Sequence, residues 1–226
     1  FVQFLANRGY AVLQVNFRGS AGFGKAFLNA GNLEWGVGKM QQDLTDAVKW
    51  AVKQGYADAG KVAIMGGSYG GYATLAGLTF TPELYCCGVD IVGPSNIKTL
   101  LQSIPPYWAP MKKMFMLRVG DVEKDEVFNQ KISPLFHVDA IRVPLLIGQG
   151  KNDPRVNIRE SDQIVEAMRG RKLPVKYIVY TDEGHGFARP ENNLDFTGYA
   201  DEFLAKYLGG RFEPYKQVKG SAGEEH

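Results

Sequence analysis

Cysteine is scarce, and the two that occur exclude a disulfide framework. Cys86 and Cys87 are adjacent on a segment read as a buried strand, where successive side chains face opposite ways and a mutual bridge would be strained. They read as free thiols, which favours a reducing, cytoplasmic compartment, and neither has the elbow or paired histidine that a catalytic thiol needs. No run of 18 apolar residues is present, so no membrane-spanning helix is expected. Charge of one sign is lacking too. The 26 basic and 24 acidic residues leave +2, with no basic stripe interleaved with aromatics, which argues against nucleic acid or an anionic membrane as partner. The pattern calls for no metal and no cofactor. The chain opens within what reads as an element, not with a start methionine or a signal peptide, so processing and compartment are not legible from it.

What is present is ordinary globular material: 226 residues, 45% hydrophobic and 22% charged, enough for one domain with a full core. Apolar runs alternate with amphipathic stretches along its length. Tyr10 to Phe17 (YAVLQVNF) reads as a strand, and Met40, Leu44, Ala47, Val48, Ala51 and Val52 repeat at helical spacing. Strands at 61–65, 86–92, 143–149 and 175–180 alternate with helices at 69–78 and 158–169, and a last helix carries Phe196, Tyr199, Ala200, Phe203, Leu204, Tyr207 and Leu208 on one stripe. Such alternation implies crossover connections and an α/β fold, with a mostly parallel sheet covered by helices on both faces.

Two regions break the rhythm. Residues 94–134 hold Pro105, Pro106, Trp108, Pro110 and Phe115 among several methionines. They read as an excursion above the strand ends that lines a substrate pocket, or as a helical insertion packed on the core. The catalytic domain is expected over 1–212, and residues 213–226 read as a polar tail with no core to join.

The chemistry concentrates in KVAIMGGSYGG, residues 61–71. An apolar run meets a glycine-rich turn at Ser68, from which a helix departs, as in a nucleophile elbow, with Gly66 and Gly70 letting strand and helix pass closely. A serine hydroxyl needs a base, normally an imidazole oriented by a carboxylate. His185, in Asp182-Glu183-Gly184-His185-Gly186, follows the last strand and is the expected base, in preference to His137, which precedes a strand, and His226, which ends the chain. Asp153, just past the strand at 143–149, is the expected acid, because Asp182 and Glu183 lie too near His185 on a tight loop to face its ring. The order Ser68, Asp153, His185 matches α/β-hydrolases and not the proteases in which histidine precedes serine. The backbone N–H of Tyr69 supplies one donor of the oxyanion hole, and no His-Gly-Gly segment before Tyr10 supplies the second.

The segments Asn16-Phe17-Arg18-Gly19-Ser20-Ala21-Gly22-Phe23-Gly24, Gly66-Gly67-Ser68-Tyr69-Gly70-Gly71-Tyr72, Asp153-Pro154-Arg155-Val156 and Gly184-His185-Gly186 together resemble the catalytic domain of the prolyl oligopeptidase family, nearest its acylaminoacyl-peptidase-like branch. The resemblance implies an α/β-hydrolase fold and a serine peptidase acting on short or acylated peptides, with Ser68, Asp153 and His185 as nucleophile, acid and base. Members carry an N-terminal β-propeller and begin the hydrolase domain with strands absent here. The chain is therefore expected to be N-terminally truncated, with a longer protein, another chain or a rearranged pairing filling the gap beside the strand at 61–65. A homo-oligomer stays open.

Several other readings compete. A carboxylesterase is the alternative function, since the same triad cleaves esters, and a non-enzymatic α/β scaffold would use Ser68 only as a turn residue. Gly19 to Ala26 nearly matches a phosphate-binding loop, but Ala26 lacks the hydroxyl that holds magnesium. Phe23, Tyr107 and Trp108 are candidate walls for the substrate side chain, and Arg155 either contacts substrate or braces the Asp153 loop.

Overall fold

The structure is a computed structural model that describes residues 1–226, leaving out the side chains of Pro106 and Ala109. In chain order its elements are α1 (Val2–Asn7), α2 (Lys25–Asn29), α3 (Lys39–Lys53), β1 (Ala63–Gly67), α4 (Tyr69–Phe80), β2 (Cys87–Ile91), α5 (Ile97–Ser103), α6 (Ala109–Val119), α7 (Glu126–Ile132), β3 (Leu145–Gly150), α8 (Arg159–Gly170), β4 (Val175–Tyr180), α9 (Pro190–Leu208) and β5 (Gly223–Glu225). The strands line up in sequence order. The pairs from β1 to β4 are parallel, and β5 joins β4 antiparallel.

Period-two alternation sorts the strand side chains onto two faces. Leu145 and Ile147 of β3 pack with Leu75 and Leu78 of α4 and with Ile164, Val165 and Met168 of α8. Leu146, between them, turns the other way onto Phe196, Ala200 and Leu204 of α9, together with Val89 and Ile178. β3 is buried along its whole length, as a strand covered on both faces must be. Helix α4 is buried almost all round, so its sequence is apolar without a polar stripe.

The excursion at 94–134 folds as α5, α6 and α7 around a core of its own. Ile97, Leu100, Leu101, Val119, Val122 and Ile132 close on Tyr72 of α4 and on Val156. It therefore packs on the protein and, through Tyr72 and Val156, abuts α4 and the loop that follows β3.

Two sequence expectations change. Tyr10 to Phe17 is not a strand; residues 10–17 run without regular structure, and Val12 and Leu13 are exposed. The residues have strand propensity, but a strand exists only by pairing, and among the described residues no strand lies beside them to accept their hydrogen bonds. For the same reason β1 is the sheet's edge and is only half-buried, although its apolar sequence suits an interior strand. Residues 213–226, read as a tail with no core to join, dock. Tyr215 stacks on Tyr199 at 3.9 Å and donates to Asp195 at 2.9 Å. Beyond it, β5 satisfies the outer edge of β4, and the His226 N–H donates to the Tyr177 carbonyl at 2.9 Å. The open backbone groups of β4 reward this pairing whatever the tail's polarity.

Candidate active site

Ser68 caps α4 with φ 57° and ψ −116°, a left-handed backbone that a residue with a Cβ adopts only when its surroundings impose it. The surroundings are tight. A Cβ at Gly66 would lie 2.4 Å from the Gly70 carbonyl oxygen, and one at Gly71 would lie 2.6 Å from the Gly93 Cα. Gly70 itself has open space at its Cβ position, so Gly66 and Gly71 are the two glycines the close approach requires. The Ser68 N–H donates to the Ile91 carbonyl of β2 at 2.8 Å, which ties the elbow to the neighbouring strand. Tyr69 is the first residue of α4, so its N–H has no acceptor within the helix.

The other two groups come from the carboxyl ends of β3 and β4. Asp153 is buried; its Oδ1 accepts the N–H groups of Arg155 and Val156 at 2.8 and 2.9 Å, which leaves Oδ2 free to face the histidine. Gln149 braces this loop from beneath by donating to the carbonyls of Gly150 and Val156 while accepting from Ser161. In the loop after β4, Glu183 turns inward, accepting the N–H groups of Ala188 and Arg189 and the Asn192 amide, and Asp182 accepts from Arg189 and Asn192. Both acids beside His185 are thus occupied at the start of α9. The Asn152 N–H donates to the Glu183 carbonyl at 2.9 Å and couples the two loops.

The result is a continuous row: Ser68 Oγ stands 2.9 Å from His185 Nε2, and His185 Nδ1 stands 2.7 Å from Asp153 Oδ2. With a carboxylate at Nδ1, the neutral ring carries its proton there and presents a bare Nε2 to the hydroxyl. His137 instead contacts the Gln130 carbonyl, and His226 sits on the far edge of β4.

Phe23 and Tyr107 are 55% and 74% exposed, Phe23 packing on Phe27 and Tyr107 on Trp108. Arg155 braces the loop through its backbone N–H, and its side chain is exposed. Three rings pack on Tyr69, next to the elbow serine: Trp35 at 4.7 Å, Phe17 at 5.3 Å and Tyr72 at 5.6 Å, with Phe115 of α6 against Trp35. Trp35 carries no local signal in the sequence; only the fold brings it here. Burial pushes the Tyr69 phenol upward, so it stays neutral at physiological pH. Among the described residues no cluster of three or more His, Cys, Asp or Glu could hold a metal ion, and no helix is long and apolar enough to cross a membrane.

A serine on a strand-to-helix elbow, with an acid and a histidine at the carboxyl ends of successive parallel strands, defines the α/β-hydrolase class. The chain belongs to the prolyl oligopeptidase family, whose profile matches residues 1–211. It is 61% identical over 97% of its length to dipeptidyl aminopeptidase BIII of Pseudoxanthomonas mexicana, covering 32% of that protein. It is 30% identical over 92% of its length to the acylamino-acid-releasing enzyme of Homo sapiens, covering 29% of it. Among solved structures, a puromycin-hydrolyzing peptidase of Mycobacterium tuberculosis superposes with a TM-score of 0.81 at 30% identity, over 89% of this chain and 30% of that one. The chain therefore spans about a third of the length of the relatives it matches.

Proposed function

We propose that these residues form the catalytic portion of a serine peptidase that hydrolyses short peptides, with Ser68 as nucleophile, His185 as general base and Asp153 as the group that orients it. The observation that carries this reading is the unbroken row from Ser68 Oγ through both ring nitrogens of His185 to Asp153 Oδ2, at 2.9 and 2.7 Å. Ser68 Oγ attacks the scissile carbonyl while its proton passes to Nε2. The imidazolium is held by the Asp153 carboxylate, and the same proton then goes to the departing amine, leaving an acyl-serine. Water, deprotonated by Nε2, cleaves that ester and restores Ser68. The N–H of Tyr69 donates to the oxyanion.

The substrate class proposed is the unblocked peptide from which an N-terminal dipeptide is released. It is supported by 61% identity to a dipeptidyl aminopeptidase against 30% to an acylamino-acid-releasing enzyme. The rings of Trp35, Phe17 and Tyr72 around Tyr69 make the neighbourhood of the nucleophile apolar, which suits an uncharged side chain before the scissile bond. The open edge of β1 is proposed to pair with a strand supplied by further chain or by a second copy, and the second oxyanion donor to arrive with it. The two unbridged thiols fit a reducing compartment.

The test is covalent labelling by a fluorophosphonate, which should be abolished by Ser68→Ala, followed by a comparison of dipeptidyl anilides, acetyl-aminoacyl anilides and short-chain aryl esters. Hydrolysis of the dipeptidyl anilide in preference to the acetylated one supports the proposal. Ester cleavage with no amide cleavage would mark an esterase, because expelling an amine demands protonation of a poor leaving group.

A further inference from the structure

The triad leaves one buried acid without a role. Asp90 lies on β2, opposite Gly66 of β1 and Ile147 of β3, and is completely buried. Its Oδ1 accepts the N–H of Gly93 at 2.9 Å, closing a turn over residues 90–93, and its Oδ2 has no hydrogen-bond partner among the described residues. Inside that turn Val92 has φ 49°, a left-handed conformation that a β-branched residue avoids unless it is held there. Its N–H donates to the Gly148 carbonyl of β3.

This turn touches the elbow at two points. Ile91, its second residue, accepts the N–H of Ser68 through its carbonyl at 2.8 Å. Gly93 lies against Gly71, in the first turn of α4: a Cβ on Gly93 would fall 2.5 Å from the Gly71 carbonyl carbon, and one on Gly71 would fall 2.2 Å from Asp90 Oδ1. The carboxyl, the two glycines and the elbow are in direct succession, with no room for another atom.

We propose that Asp90 is a positioning residue for the nucleophile: by closing the 90–93 turn it fixes the Ile91 carbonyl and the start of α4, and through them the Ser68 hydroxyl and the Tyr69 N–H. The inference rests on the assignment of Ser68 as nucleophile. Two left-handed residues, Ser68 and Val92, flank the same contact, and such conformations persist only where neighbours over-determine them. Asp90 has one N–H to accept and no cation in contact, and burial pushes its carboxyl up to about 7. What matters is the acceptor oxygen, which an amide supplies equally well.

The experiment measures the second-order rate of fluorophosphonate labelling, together with kcat, KM and melting temperature, in the protein at its full natural length. The variants are Asp90→Ala, Asp90→Asn and Ser68→Ala. Asp90→Ala is expected to lower kcat and the labelling rate by about 10–100-fold below its melting temperature with KM changed little, because small misplacements of a reacting group cost that much. Asp90→Asn is expected to restore both to within about threefold of the parent protein. A folded Asp90→Ala that labels at the parental rate overturns the inference. So does Asp90→Asn if its rate falls tenfold or more at unchanged melting temperature, and this variant decides the matter alone if Asp90→Ala does not fold. Failure of the parent protein itself to label at Ser68 would refute the underlying nucleophile assignment, a separate outcome.

Discussion

Gly150 and Gly184 meet backbone to backbone: a Cβ built on Gly150 would lie 2.0 Å from the Gly184 carbonyl oxygen. Gly150 ends β3, three residues before Asp153, and Gly184 immediately precedes His185, so the distance between Asp153 and His185 is set by a contact that only a glycine permits.

Gly150→Ala should therefore separate the two loops. The expected result is a loss of about 10–100-fold in kcat, since the His185 ring would no longer face Asp153 and Ser68 together. It should be accompanied by destabilisation on the order of 1–3 kcal/mol, typical of overpacking a closed site. Steady-state kinetics and urea denaturation on one preparation check both parts.

Ser68→Gly should separate stability from chemistry. The left-handed backbone at φ 57° costs a residue with a Cβ about 1–3 kcal/mol, part of which glycine recovers before its own chain-entropy cost. A variant with no fluorophosphonate labelling and a stability higher by about 1 kcal/mol is expected. An unchanged or lower stability would show that the elbow is not strained.

Asp153→Asn keeps its oxygen for the N–H groups of Arg155 and Val156 and so puts its NH2 group against His185 Nδ1, which must then accept. The favoured ring tautomer then places a proton on Nε2, where Ser68 needs an acceptor. In the triad template this costs about 10⁴-fold in kcat. A melting temperature close to that of the parent would assign the loss to the tautomer and not to unfolding.

Asp90 gives the protein a pH dependence of defined sign. The ordinary value of 3.8 holds in the unfolded chain, and burial raises the folded value to about 7. Between these limits the unfolded chain has released a proton that the folded protein keeps. The contribution is complete below about pH 4 and falls as pH rises through about 7. Tyr177 of β4, two strands away, feels Asp90 weakly: its phenol donates to Asp162 of α8 and is pushed up mainly by burial, with Asp90 a lesser cause, so it stays neutral throughout the window. Asp90→Asn removes the titration, so its stability relative to the parent should climb between about pH 4 and 7 and then level off. Urea denaturation at several pH values reads this difference directly.

Much of this was legible before folding because it is carried by neighbouring residues. The apolar run into Gly-Gly-Ser-Tyr-Gly-Gly announces the elbow, and helices such as α8 and α9 declare themselves by apolar spacing. The tail was misread because Tyr215 is a single aromatic among polar residues, and its value depends on Tyr199 and Asp195, neither of which is near it in sequence. Trp35 was missed in the same way.

Local sequence by itself determined the alternation of strands and helices, the identity of the serine, and the order in which acid and histidine follow it, because propensity, turn chemistry and periodicity act over a few residues. Tertiary structure alone decided that Glu183 serves α9 while Asp153 serves His185, and that Asp90 sits closed beneath the elbow. These are matters of partnership across the sheet, and hydrogen bonds and excluded volume between distant segments exist only once the chain has brought them together.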